Sequence, residues 1–293
     1  MQELAEGIYL HPGAVNCGII SRGGDALVID TGLDKEAGRK LLKALGEKSL
    51  KVIINTHAHA DHFGGNDFLT KRTGAEVWAS RAEGAGMDNP EFEPVFLAAG
   101  SAPLREMYSR FFLAPRSTPG RVLTGGERIT DWDLEILDLP GHSIEQLGVA
   151  CGEVCFTADA FLGPEALTKH GIPFNVDITA QLNTLDLLAD LPYHWFVPAH
   201  GEAREREGMR RDVEQNRNRI ELILELIAGY LAEGPLNLEQ VVKRVCDSLD
   251  LTVGNPGQFY LFRTSINAYL THLAAKGMVR PMFEANCFLW ERV

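Results

Sequence analysis

His57, His59, Asp61 and His62 crowd into the stretch NTHAHADHFGG, residues 55–65. They follow directly on KVIINT, residues 51–56, a short apolar run that suits a buried strand. If the chain is still extended there, His57 and His59 point to the same side, because successive side chains alternate. Asp61 and His62 are adjacent and diverge. That geometry suits two metal ions better than one: a histidine pair for the first, an aspartate and a histidine for its neighbour. Imidazole and carboxylate are the expected ligands of zinc, iron or manganese. A histidine-rich surface turn is the plain alternative, and the density of donors at a strand end argues against it.

The rest of the chain reads as alternating strands and helices, which calls for a layered α/β fold. AVNCGII and ALVID are β-rich and are joined by the turn SRGGD. DKEAGRKLLKALG carries Leu41, Leu42 and Leu45 at helical spacing, with Asp34 as N-cap and Gly46 as stop. A helix is expected at about 64–72 and a strand at 75–79. Consecutive β elements follow over 121–158, then a helix over 177–191 and a strand over 194–199. From about 203 a long charged helical pattern begins, followed by two more helical patterns and a β-like tail. Residues 82–120 are rich in proline, yet Leu104, Met107, Tyr108, Phe111 and Phe112 form a compact stripe at helical spacing. We expect that stripe to be a lid or part of an insertion with its own small core.

One segment cannot complete two metal sites. His142, Asp159 and His200 each fall where a predicted strand gives way to a loop, in LDLPGHSIEQLG, CFTADAFLG and FVPAHGE. Taken singly each is unremarkable. His11, His170, His194 and His272 have no partner at ligand spacing and read as ordinary residues, with Lys169 and His170 a faint hint of a substrate-facing loop.

VIDTG at 28–32, HxHxDH at 57–62, GHS at 141–143, TAD at 157–159 and PAHGE at 198–202 together resemble the metallo-β-lactamase superfamily, over about residues 1–205. The resemblance implies a four-layer αβ/βα sandwich. It implies that His57, His59 and His142 hold one metal, that Asp61, His62 and His200 hold the second, and that Asp159 bridges them. Asp30 would stand behind the ligands, orienting them without touching metal; a simple turn residue is the alternative. Position 59 is His, unlike the HxExDH of the flavo-diiron branch. Asp159 stands where the best-known true lactamases carry cysteine. The first departure sets the flavo-diiron branch aside; the second points to the glyoxalase II, lactonase and nuclease side, although no β-CASP insertion of nuclease size is present.

The implied function is a dinuclear metal-dependent hydrolase in which a metal-bridged hydroxide attacks a thioester, lactone or other carboxylic ester. Asp61 is the candidate catalytic proton carrier. Two divalent ions are implied, zinc first, with iron or manganese also suited to the donors. The alternatives are a mononuclear iron sulfur (persulfide) dioxygenase, a metal-dependent nuclease or phosphodiesterase, and a metal-bearing but idle sensor.

We expect a catalytic domain over 1–208, with 82–120 as its insertion, and a helical, winged-helix-like domain over 209–293. Arg263, His272, Lys276 and Arg280 could form a small basic face there, although a solvated helix surface is the plainer reading. The net charge of −12 disfavours nucleic acid as a partner and leaves a small-molecule substrate, with the C-terminal part suited to packing or homodimerisation. No stretch approaches the ~18 apolar residues a membrane span needs. The start MQELAEGIYL lacks a basic segment followed by an apolar run. Cys17, Cys151, Cys155, Cys246 and Cys287 are scattered without CxxC spacing, which suits buried reduced thiols. A cytoplasmic protein is the expectation.

Overall fold

The computed structural model describes all 293 residues. One sheet contains β1 (Gln2–Ala5), β2 (Ile8–His11), β3 (Cys17–Arg22), β4 (Asp25–Ile29), β5 (Ser49–Ile54), β6 (Glu76–Ala79) and β7 (Arg121–Val122), in that spatial order. β1 to β4 run antiparallel, and β4 to β7 run parallel. The second sheet contains β8 (Arg128–Ile129), β9 (Leu134–Asp138), β10 (Leu147–Cys151), β11 (Val154–Ala158), β12 (Trp195–Pro198) and β13 (Arg204–Glu205), again in order. Only the β11–β12 pair is parallel in this sheet.

Strand periodicity explains the layering. In β4, Leu27 and Ile29 enter the cluster between the sheets, while Ala26 and Val28 enter the cluster on the outer face. In β5, Val52 and Ile54 face inward and Ile53 outward. The outer face is covered by α1 (Lys35–Leu45), α2 (Ala60–Phe63) and α3 (Asn66–Thr73), through Leu41, Leu45, Phe63 and Leu69. The expected caps of α1 are present. Asp34 accepts from the backbone N–H groups of Glu36 and Ala37, both at 3.0 Å, and Gly46 takes φ +63° at the stop.

The insertion carries α4 (Arg81–Asp88) and α5 (Phe92–Leu97). The stripe at 104–112 is not a helix. Only Arg105–Met107 closes a short 3₁₀ turn, and Met107 alone is fully buried there. A single turn gains too few hydrogen bonds to sustain itself, so this segment follows its docking surface instead. Phe112 packs so closely on the C-terminal part that a side chain at Gly257 would meet its ring at 2.6 Å.

On the far face of the second sheet lie α6 (Pro164–His170), α7 (Ile178–Asp190), α8 (Arg206–Ala232), α9 (Leu238–Ser248) and α10 (Pro256–Ala275). The hairpin β14 (Val279–Glu284) and β15 (Cys287–Arg292) ends the chain. Layers of helix, sheet, sheet and helix therefore stack as expected. Leu137, Ala150, Cys155 and Phe196 of the second sheet share one buried cluster with Ile220, Ile227, Val241, Ile266 and Tyr269. The expected boundary at 208/209 falls inside α8, which continues unbroken through it.

Four thiols are buried and free as expected, but Cys287 is exposed on the hairpin. The suggested basic face does not form. Arg263 pairs with Glu239, Arg280 pairs with Glu291, and His272 is buried. No helix is long and apolar enough to cross a membrane.

Candidate metal centre

Strand ends at one rim of the sandwich deliver the candidate ligands. His57 to His62 follow β5, His142 follows β9, Asp159 follows β11 and His200 follows β12. The structure brings all seven expected residues together in two adjoining groups. His57, His59, His142 and Asp159 form one, and Asp61, His62 and His200 form the other. Within each group the donor atoms lie within 4.8 Å of one another.

Hydrogen bonding fixes which ring nitrogen each imidazole presents. His142 Nδ1 lies 2.9 Å from the Phe174 carbonyl, and His200 Nδ1 lies 2.8 Å from the Ala14 carbonyl. A carbonyl only accepts, so both carry the proton on Nδ1 and turn an Nε2 lone pair inward. Thr56 donates its hydroxyl to Asp30 Oδ2 at 2.8 Å, which leaves its oxygen to accept from His57 Nδ1 at 3.1 Å. His57 Nε2 and His142 Nε2 then both face His59 Nδ1 at 2.9 Å. A proton on His59 Nδ1 serves at most one of these neighbours; a cation serves all three. Donors bound ~2.0–2.1 Å from a tetrahedral ion stand roughly 3.3 Å apart, close to what is seen here.

Asp159 lies between the groups. Its Oδ2 stands 3.7, 3.2 and 3.4 Å from Nε2 of His57, His62 and His142, and its Oδ1 stands 3.6 Å from His200 Nε2. Asp159 Oδ1 is buried without a hydrogen-bond partner. A buried orphan of this kind needs a water or an ion. The donor chemistry therefore fits divalent metal ions.

Burial holds His57, His59 and His142 below the usual histidine value, so they are neutral lone-pair donors at neutral pH. Burial also opposes charge on His62, but Asp30 and Asp159 flank it and outweigh burial, so its pKa lies well above the usual value. Burial opposes charge on Asp159 too, yet His200, His142 and His62 hold its carboxyl well below the usual carboxylate range.

Asp30 stands behind this centre, at φ +57° just after β4. Its carboxylate accepts from the Thr56 N–H at 2.9 Å and from His62 Nδ1 at 2.8 Å. It thereby sets the ring orientation of His62.

Glu83 of α4 was not singled out from sequence. Its Oε2 accepts from the Ala58 N–H at 2.9 Å, between two candidate ligands. Its Oε1 accepts from Ser143 Oγ at 2.8 Å and from the Glu145 N–H at 2.9 Å, just after a third. One buried carboxylate thus clasps both loops that supply His57, His59 and His142. Nothing local in the sequence marks it, because its partners are 25, 60 and 62 residues away.

Phe174 packs edge-on against His59 and His142. His170 reads from sequence as an ordinary residue with no ligand-spaced partner, with only a weak hint of a substrate-facing loop. It ends α6 rather than lying in a loop, and it lines a small cavity with His142, Asp159, His200, Asn175, Gln181, Asn216 and Ile220. α8 of the C-terminal part thus contributes directly to the wall of the centre.

The family model of the metallo-beta-lactamase superfamily matches residues 10–200, a span that holds all these donors. The chain belongs to the metallo-beta-lactamase superfamily. Within it, a hydroxyacylglutathione hydrolase from Anaeromyxobacter dehalogenans is 32% identical over 160 residues, 53% of this chain and 57% of that protein. The chain thus matches little more than half the length of that relative. A probable metallo-hydrolase from Bacillus subtilis is 27% identical over 64% of this chain and 81% of its own length. Among solved structures, a metallo-beta-lactamase family protein from Thermus thermophilus superposes with a TM-score of 0.76 at 22% identity. That likeness covers 99% of this chain and 100% of the other, so the shared fold extends through the C-terminal helices.

Proposed function

We propose that this superfamily member is a dinuclear metal-dependent hydrolase that cleaves a thioester or another carboxylic ester. The observation that carries the reading is the convergence of imidazole nitrogens and carboxylate oxygens in two groups that meet at Asp159. His57, His59 and His142 would hold one ion, Asp61, His62 and His200 the other, with Asp159 between them. Zinc is our assignment, since these donors are its usual ligands. When bound, the ions supply Lewis acidity, polarising the substrate carbonyl and acidifying water.

The chain's own residues do the rest. The Asp30–Thr56 pair orients His57 and His62, and Glu83 fixes the loop that carries His59. Asp61 Oδ2 lies 3.7 Å from His200 Nε2 at the less buried side of the centre, which supports our assignment of Asp61 as the group that would move a proton between water and leaving group. His170, Asn175 and Asn216 offer polar contacts to the departing group. Likeness to a hydroxyacylglutathione hydrolase favours a thioester. The second complete donor group weighs against the mononuclear dioxygenase reading. We assign the chain to the cytoplasm on its buried free thiols.

The test is hydrolysis of S-lactoyl and simple acyl thioesters by protein loaded with zinc. Turnover that disappears with a chelator and returns on zinc addition supports the reading. Inert thioesters, lactones and aryl esters alike would overturn it.

A further inference from the structure

Beside His59 the insertion opens a second cavity, of about 210 Å³. Its floor is small: Ala58, Ala82 and Ala85, with Gly86 so near the ligand loop that a side chain there would meet Ala58 at 3.0 Å. Its walls are Phe92, Phe96 and Ile144, all large, apolar and about half or more exposed. Apolar and aromatic walls around a concavity with a few polar groups are the usual lining of a small-molecule subsite. Phe174 lines both this cavity and the polar one at His170, so the two hollows share a wall at the centre.

Three features define what it takes. The volume is below the ~300–1,000 Å³ of pockets that enclose a whole ligand, so it holds one part of a substrate. No lysine or arginine lines it, and its only acidic groups are Glu83 and Glu93, the latter pushed up to about 7 by burial and then by Glu83. An anionic tail would meet carboxylates and find no counter-charge. Finally, His59 itself lines the cavity, with Glu93 Oε1 3.8 Å from its Nε2, so the cavity reaches the outer edge of a candidate ligand's ring.

We propose that this cavity is the acyl subsite, and that the natural substrate carries a neutral, apolar acyl group of several carbons or a phenyl ring. This rests on the hydrolase reading above. In that reaction water's oxygen bonds to the acyl carbon as its bond to sulfur or oxygen breaks. One proton goes to the departing thiol or alcohol, and the acid product leaves from this cavity. Phe92 and Phe96 are then specificity residues that the insertion brings to a shared scaffold.

Two measurements on the full chain test this. The first is kcat/KM of the zinc-loaded protein across N-acetylcysteamine thioesters from acetyl to octanoyl, with succinyl as an anionic control. Each buried methylene should raise kcat/KM roughly fourfold until the cavity is full. The slope should flatten in Phe96→Ser and in Ala85→Phe, both surface positions whose melting should not move. The second is displacement of the neutral fluorophore N-phenyl-1-naphthylamine by alkyl amides, with and without metal. Octanamide should displace it at far lower concentration than acetamide. Hydrolysis with no dependence on chain length, or preference for succinyl over butyryl, overturns the subsite. No hydrolysis of these thioesters or of lactones and aryl esters, with chain-length-dependent displacement intact, upholds the cavity and overturns the hydrolase reading instead. Loss of displacement by long amides overturns the cavity.

Discussion

Replacing Glu83 by alanine should loosen the two loops that supply the first donor group. The residue is 5% exposed, and its carboxylate accepts three hydrogen bonds, from Ala58 N–H, Ser143 Oγ and Glu145 N–H. Each donor left buried and unpaired costs roughly 1–3 kcal/mol. Relaxation and water entry make the sum less than additive, so Glu83→Ala should lose about 3–5 kcal/mol. For a chain of this size that lowers the melting temperature by on the order of 10 °C. Glu83→Gln keeps the volume and one acceptor oxygen. That oxygen can keep the Ser143 and Glu145 donors, but the new amide N–H₂ then faces the Ala58 N–H, and two donors cannot pair. The glutamine variant should therefore melt within a few degrees of the parent while binding its first metal roughly 10–100-fold more weakly. Isothermal titration with zinc, beside scanning calorimetry, reads both quantities. If both variants melt and bind metal like the parent, Glu83 positions nothing.

Asp30→Asn should keep the fold but lose the acceptor that holds His62 Nδ1 at 2.8 Å, weakening metal binding roughly 10–100-fold by the same titration. Gly65→Ala would set a methyl 2.5 Å from the Thr31 carbonyl oxygen, so the loop after the ligands must shift; a loss of about 1–3 kcal/mol is expected in urea unfolding. Because Asp30 and Asp159 raise His62, a cation must displace its proton, so loading should release protons and weaken as pH falls. Calorimetric titration in buffers of different ionisation enthalpy counts those protons, and an affinity that does not change between pH 6 and 8 would contradict the assignment of His62.

Local pattern made much of the fold legible. The alternating apolar residues of β4 and β5 serve two faces, and the Asp34 and Gly46 caps bound α1 in sequence as they do in space. His57, His59, Asp61 and His62 were visible because one strand end carries them all. His142, Asp159 and His200 became persuasive only through resemblance to the family, since a lone histidine or aspartate after a strand has no local signature. Glu83 was hidden because its partners come from distant loops. α5 was hidden because Pro94 reads as a breaker, although in the first turn its missing N–H costs nothing. The stripe at 104–112 misled in the opposite direction. Its spacing is helical, but Met107 and Phe112 answer to neighbouring surfaces rather than to a helix of their own.

The central claim is that the two donor groups hold two ions. Plasma mass spectrometry of protein purified without chelator or metal-affinity resin, with protein counted by amino-acid analysis, measures this directly. The account predicts about two divalent ions per chain, falling towards one when His200→Ala removes a donor from the second group. A single iron per parent chain, or no metal after reconstitution with zinc, would contradict it.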